Sequence, residues 1–322
     1  MRTELAHIAG DGAQQAQCPR CGGTPEAKGA SLVCACGAAG RVVGNVIDWR
    51  EVGAAQQTPD ALWRMDMSAG DNARRLLRAA RYCLHPVASP LSPLAWLTRA
   101  RLDRYYERTR SDPALARDWA VHYLAALPHP AHMSVLDHGT GRGRNLGLLA
   151  QLGCKLAAQD IAPHADWARF PACEFQIVPP ECDRLPWRTG GFDLVLDWMV
   201  LEHFAPERLA RLTGEVARVL KSGGFWLVLT ANDGSLAARS LRRTLGRLHP
   251  PAEVEHVAEA AGLHLVRHSY EGFYAPVFPV VFDAIRKTCA PWPLDLADYR
   301  SVLARMTPPR RRAVWVAAYR KA

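Results

Sequence analysis

Short apolar runs that stop at an acid alternate with segments of helical period through the middle of the chain. Val135-Leu136 stops at Asp137, the run from Lys155 stops at Asp160, and the run from Gly191 stops at Asp197. Between the second and third of these, Cys173–Val178 has the length and composition of another strand. A helix pattern over 206–220 ends at the glycine stop signal Gly223-Gly224, and Phe225–Thr230 reads as a fifth strand. Beyond it the pattern predicts helices over 236–248 and 251–261, a strand over 263–268 and an alternating strand over 312–319. Strands that alternate with helices in this way predict an α/β fold, with a parallel sheet covered on both faces.

The link between the first strand and its helix carries the most chemistry. Gly139, Gly141 and Gly143 stand at alternate positions after Asp137, and a helix-like run starts at Asn145. Glycines let a tight turn take positive φ and approach a ligand closely. In a dinucleotide-binding fold such a turn aims helix N-terminal N–H groups at a pyrophosphate. Here an acid precedes the glycines, where it repels phosphate and can pair with an ammonium group. That points to a nucleoside carrying an amino acid. A carboxylate at the end of the second strand, Asp160, can accept both ribose hydroxyls, although a helix cap before Ala162-Pro163 is an alternative role for it.

The Asp-x-Gly-x-Gly-x-Gly run resembles motif I of the class I S-adenosylmethionine-dependent methyltransferases. The segment Glu181–Trp187, with Leu185-Pro186-Trp187 at its end, is similar to that family's acid-x-x-x-Leu-Pro-aromatic stretch. The resemblance extends over about residues 133 to 231. It implies a Rossmann-like, seven-stranded methyltransferase sheet whose last strand inserts antiparallel beside the sixth. It also implies S-adenosylmethionine as cofactor, with Ile161 against the adenine face. Glu181 would then accept from the adenine amino group, and the Cys182 amide would meet a ring nitrogen.

A sulfonium donor is already activated, so alignment and desolvation carry most of the catalysis. A hydroxyl acceptor additionally needs a base. Asp197 and His203 are the catalytic candidates, because both follow from the end of the fourth strand. Glu202-His203 resembles the family's common Glu-His pair, in which the histidine faces the active site. Asp197 has the alternative of touching the methionine part of the cofactor, and His203 that of a helix N-terminal hydrogen-bonding residue. His138, inside the glycine turn, is a further candidate.

Four of the nine cysteines fall between residues 18 and 36, and the others follow no disulfide framework. Cys18 and Cys21 form one knuckle, Cys34 and Cys36 a second, each followed by glycine. Four thiolates from two knuckles can surround a structural Zn²⁺ and leave no open position for substrate. A segment of about forty residues buries too little apolar area to fold alone, so a metal staple has a physical purpose. The segment resembles the zinc ribbon before some bacterial methyltransferase domains, with Val42–Trp49 as its closing strand. The second knuckle departs from that pattern, being Cys-x-Cys, and a ribbon that has lost its metal stays open as an alternative.

These readings divide the chain into a ribbon-like element over 1–50, a linker and helical cap over 51–130, and a methyltransferase domain over 131–322. That last domain holds an insertion at about 271–310. In the cap, Tyr105 and Tyr106 either reach the substrate pocket or pack the cap onto the sheet. The aromatic insertion suits either a pocket wall or a homodimer contact.

Composition adds bounds. Hydrophobic residues make up 49% of the 322 residues, which predicts an ordered globular protein. No apolar run is long enough for a membrane span, and the start lacks an apolar signal core, so a cytoplasmic location is expected. The formal net charge of +9 points weakly to an anionic substrate or RNA. The methyltransferase resemblance implies one of two acceptor classes: a small molecule of a biosynthetic pathway, methylated on oxygen or nitrogen, or an RNA base, since a zinc ribbon before this fold also resembles the large-subunit ribosomal RNA guanine methyltransferases. The insertion and the Glu202-His203 pair favour the first. A decayed domain acting as a partner protein is disfavoured by the intact Asp137, Asp160 and glycines.

Overall fold

A computed structural model describes residues 16–50, 132–143, 145–235, 248–271, 308–312 and 314–322. All of these lie in one of the chain's two compact units. The expected linker and cap with Tyr105 and Tyr106, the helix over 236–248 and nearly all of the 271–310 insertion lie outside the described residues.

From residue 132 onward the strands are β5 (Ser134–His138), β6 (Lys155–Asp160), β7 (Glu174–Ile177), β8 (Phe192–Trp198), β9 (Leu220–Ala231), β10 (Leu263–Glu271) and β11 (Val314–Lys321). The helices are α1 (Leu146–Gln151), α2 (Pro206–Val219) and α3 (Pro251–Ala260). The order across the sheet is β7-β6-β5-β8-β9-β11-β10, parallel from β7 to β9, with β11 antiparallel to both neighbours. The last strand therefore inserts beside the one before it.

The apolar runs are continuous because both faces of this sheet are covered. Val195, Leu136, Trp226 and Val228 pack with Leu209, Leu212 and Val216 of α2 and Val254 of α3. Their sequence neighbours Val135, Leu194, Leu196, Leu227 and Leu229 point the other way and meet Leu149 of α1. Helix α2 starts with Pro206 in its first turn, where the missing N–H costs nothing.

Two local expectations change. The glycines after α2 do not open a loop, because Leu220 leads straight into β9. Gly223 has φ +74°, and a Cβ on Gly224 would lie 2.9 Å from the Lys221 carbonyl oxygen. The glycines thus fit a tight strand start, where the β8–β9 register shifts. The expected single strand over 42–49 is a hairpin. β3 (Ala39–Val43) turns at Gly44-Asn45, with Gly44 at φ +57°, into β4 (Val46–Asp48). A two-residue turn with glycine between β-branched residues is a recognised hairpin signal, present in the sequence but not used above.

That hairpin changes the sheet. With β1 (Glu26–Lys28) and β2 (Ser31–Val33), the N-terminal segment adds four strands and makes an eleven-stranded sheet. β4 pairs in parallel with β7, Val46 opposite Phe175 and Asp48 opposite Ile177. Side chains lock the seam. Asn45 Nδ2 donates to the carbonyls of Cys173 (2.7 Å) and Phe170 (3.2 Å), and Trp49 Nε1 donates to Gln176 Oε1 at 2.7 Å. The edge of β7, which would otherwise expose unpaired backbone groups, is covered. No described helix is long and apolar enough to cross a membrane.

Candidate functional site

The glycine turn follows β5 at the carboxyl end of the parallel strands, where α/β sheets bind ligands. Gly139, Gly141 and Gly143 all have positive φ, at +66°, +54° and +78°. The two outer glycines are enclosed. A Cβ at Gly139 would fall 2.6 Å from Val200 Cγ2, and one at Gly143 would fall 3.0 Å from Leu146 Cδ1. Gly141 has nothing within 4 Å of that position and is exposed, while its carbonyl accepts from Trp167 Nε1 at 2.7 Å. Asp160 braces the turn from the next strand: one oxygen accepts from the Gly141 amide and the other from the Ile161 amide, each at 2.7 Å.

Asp137 is buried beneath the turn. It accepts from Thr140 Oγ1 at 2.7 Å and Asn145 Nδ2 at 3.3 Å. Burial raises its pKa to about 6 against those two bonds, with the charges of Asp160 and Asp197 adding to the rise. Its oxygens hold the loop and the helix start together, a role the sequence reading did not assign.

Where adenine contact is expected, Ile161 packs against a cluster of Ala16, Leu32, Ile47, Trp49 and Val178, so the N-terminal strands border this residue. Glu181 is exposed at the same sheet end. Cys182 departs from expectation: its amide donates to the Pro179 carbonyl at 3.0 Å, closing a turn, so the free donor expected for a ring nitrogen is already engaged. Its thiol lies 3.1 Å from the Arg184 carbonyl and 3.5 Å from that of Pro19.

The two catalytic candidates separate. Asp197 is fully buried, with one oxygen on His138 Nδ1 and the other on Trp226 Nε1, each at 2.5 Å. With both oxygens engaged inside the protein it has no face for an acceptor, which revises its expected direct contact. His203 ends a short 3-10 turn, Leu201–His203, and is exposed. Desolvation by its surroundings lowers its pKa, opposed by the charge of Asp160 and the Met199 carbonyl, so the neutral imidazole is favoured near neutrality. Glu202 is buried, takes a 3.0 Å bond from Thr230 Oγ1, and has its pKa raised to about 7 by burial.

Cys18, Cys21, Cys34 and Cys36 converge, their sulfurs all within 4.8 Å of one another. The thiols are free, with Cys18 and Cys36 sulfurs 3.6 Å apart and those of Cys21 and Cys34 3.4 Å apart, far beyond a disulfide bond. Zinc–sulfur bonds of about 2.3 Å at tetrahedral angles put sulfurs about 3.8 Å apart, so the donor set fits that ion. Burial pushes the Cys18 thiol up to about 12, and a thiolate there needs a cation beside it.

A parallel sheet with a braced glycine turn and acids at successive strand ends defines a Rossmann-like, nucleoside-binding class of protein. Residues 136–228 match the protein family described as a methyltransferase domain. The "Probable S-adenosylmethionine-dependent methyltransferase" of Mycobacterium tuberculosis is 30% identical over 154 residues, which cover 46% of this chain and 53% of that protein. The "Probable tRNA methyltransferase 9B" of Mus musculus is 38% identical over 96 residues, covering 28% of this chain and 20% of its own length. The chain thus spans about half, or less, of these curated relatives. Among solved structures, an S-adenosylmethionine-dependent methyltransferase from Archaeoglobus fulgidus aligns with TM-score 0.46 and 19% identity, over 68% of this chain and 99% of its own.

Proposed function

We propose that this chain binds S-adenosylmethionine at the carboxyl ends of β5 to β7 and directs its methyl group to an oxygen or nitrogen of a small-molecule acceptor. The observation that carries this reading is the exposed glycine turn at Gly141, held by Asp160 on its amide and Trp167 on its carbonyl with clear space on its Cα side. Each Asp160 oxygen spends one acceptor site on a backbone amide and keeps another for a ribose hydroxyl. Ile161 offers an apolar face to the base, Glu181 an acceptor for its amino group, and Gly139 to Gly143 a close wall, while Asp137 keeps the turn in shape. The bound cofactor supplies an activated methyl group, and the protein supplies alignment and water exclusion. His203 lies on the acceptor side of this site. Cys18, Cys21, Cys34 and Cys36 would hold a structural Zn²⁺.

A second reading, an RNA base as acceptor, draws support from the relative named as a tRNA methyltransferase and from the net charge of +9. Tritiated-methyl transfer to fractionated host small molecules and, separately, to bulk host RNA tests both. Label in a small-molecule fraction alone supports the first reading, label in RNA alone replaces it, and label in neither overturns the methyltransferase reading.

A further inference from the structure

Strand pairing sets His138 directly beside Asp197 across β5 and β8. Asp197 holds His138 Nδ1 and is itself held by Trp226 Nε1 from β9, so three neighbouring strands contribute one buried polar chain. An acid inside an apolar sheet is costly unless both oxygens are engaged, and here they are. That arrangement fixes the ring: Nδ1 carries the proton toward Asp197, and Nε2 keeps its lone pair. His138 is itself buried, 6% exposed, and its Nε2 is not among the fully buried polar atoms without a hydrogen-bond partner in the described residues. The ring lies 6.0 Å from that of Phe204, the residue after His203, at the carboxyl end of the sheet where the glycine turn opens.

Resting on the methyltransferase reading, we propose that His138 is the base that takes the acceptor's proton, with Asp197 and Trp226 as its positioning residues. The acceptor's X–H electron pair forms the new bond to the methyl carbon, and its proton passes to His138 Nε2. The sulfur–methyl bond breaks with its electrons staying on sulfur. The imidazolium formed is stabilised by Asp197, the orienting logic of a base held by a buried carboxylate. Burial alone would pull the His138 pKa down, but the bond and charge of Asp197 raise it, with Asp160 on β6 and Asp137 on β5 adding to the rise. A base held this way is competent above its own titration. Glu202 lies on the same side, close enough for the charge of Asp197 to raise its pKa, and its Oε1 is buried without a partner among the described residues.

Nitrogen-resolved NMR of the histidine rings reads this without an acceptor. The expected result is a neutral His138 ring protonated on Nδ1, titrating above an ordinary histidine, and titrating lower in Asp197→Asn. A ring protonated on Nε2, or no difference between wild type and Asp197→Asn, overturns the proposal. Tritiated-methyl transfer to pooled host small molecules and bulk RNA is the second arm. His138→Ala should lose about 10²–10⁴-fold in rate, keep its cofactor affinity by calorimetry, and regain activity with added imidazole. Wild type should gain rate with rising pH through the His138 titration, and Asp197→Asn should shift that limb to lower pH. Loss of cofactor affinity in His138→Ala, or a loss confined to His203→Ala, overturns the assignment. Should wild type bind no S-adenosylmethionine and transfer no label, the methyltransferase reading fails, while the ring titration still decides whether Asp197 sets the state of His138.

Discussion

The N-terminal strands and the glycine-turn region both depend on glycines at tight bends, yet they are held by different forces. Around the glycine turn, Leu136, Val195, Trp226 and Val228 lie in a core closed by two helices, and the hydrogen bonds that Thr140 and Asn145 donate to Asp137 and that Asp160 accepts from Gly141 only refine its shape. The N-terminal strands bury a small set, chiefly Leu32, Ile47 and Trp49, completed by Val178 and Ile161 from beyond β7 and β6 in the same compact unit. Further support comes from the four-sulfur cluster, the β4–β7 seam and the Ala16–Trp187 bridge. A large core tolerates the loss of a contact. A small one needs a staple and a neighbour.

The sharpest way to break this comparison is to remove the staple. Cys18→Ser should lower bound zinc, measured by plasma emission, to well under half an equivalent. Hydrogen exchange should then show lost amide protection over residues 16–50, because structural zinc contributes about 10–16 kcal/mol of apparent binding energy to small domains. The protection loss should extend into β7, which β4 covers, and leave the β9–β11 pair intact. Retained protection over 16–50 in metal-free protein would show that the seam suffices without the ion.

In the larger domain, Leu136→Ala should cost about 2–5 kcal/mol in denaturant unfolding, since the residue is fully buried between sheet and helices. The fold should survive, with a lower midpoint and unchanged amide protection over residues 16–50. Asp160→Ala acts on the site rather than the core. Calorimetry should show S-adenosylmethionine affinity weakened by about 1.5–3 kcal/mol per lost charge-assisted bond. An unchanged affinity would remove Asp160 from the cofactor site.

The seam gives a smaller effect. Asn45→Ala removes the side-chain donor to the Cys173 and Phe170 carbonyls, of which Phe170 keeps its bond from the Cys173 amide, a loss of about 1–3 kcal/mol. It should appear as faster exchange in β4 and β7 before any change in β5.

The smallest effect is a pH slope. Glu202 has its folded pKa raised to about 7 from an ordinary carboxylate value, so the folded state holds its proton longer than the unfolded state. Stability from this group is therefore highest at low pH and falls as pH rises from the unfolded pKa through about 7. Asp137, raised to about 6, adds to the same trend. Thermal melts from pH 5 to 8 should show a shallower decline in Glu202→Gln than in wild type, and equal slopes would remove Glu202 as its source.

Much of this protein is legible along the chain because the signals are local. Strand length, the apolar runs, the glycines after Asp137 and the paired cysteine knuckles each depend on near neighbours, so order and spacing carry them. The Gly44-Asn45 turn was also local, and reading Val42–Trp49 as one strand missed it. The β4–β7 pairing was not local, because nothing in either short strand names its partner. The same holds for His138, Asp197 and Trp226. His138 and Asp197 are 59 residues apart in the chain, and only the β5–β8 register makes them neighbours. By itself the sequence determined the α/β class, the ligand-facing turn and the candidate metal donors, since these rest on backbone periodicity and side-chain chemistry. The tertiary structure alone decided which strand covers the β7 edge and which buried acid orients which histidine, because both depend on pairings between distant segments chosen by the packing of the whole sheet.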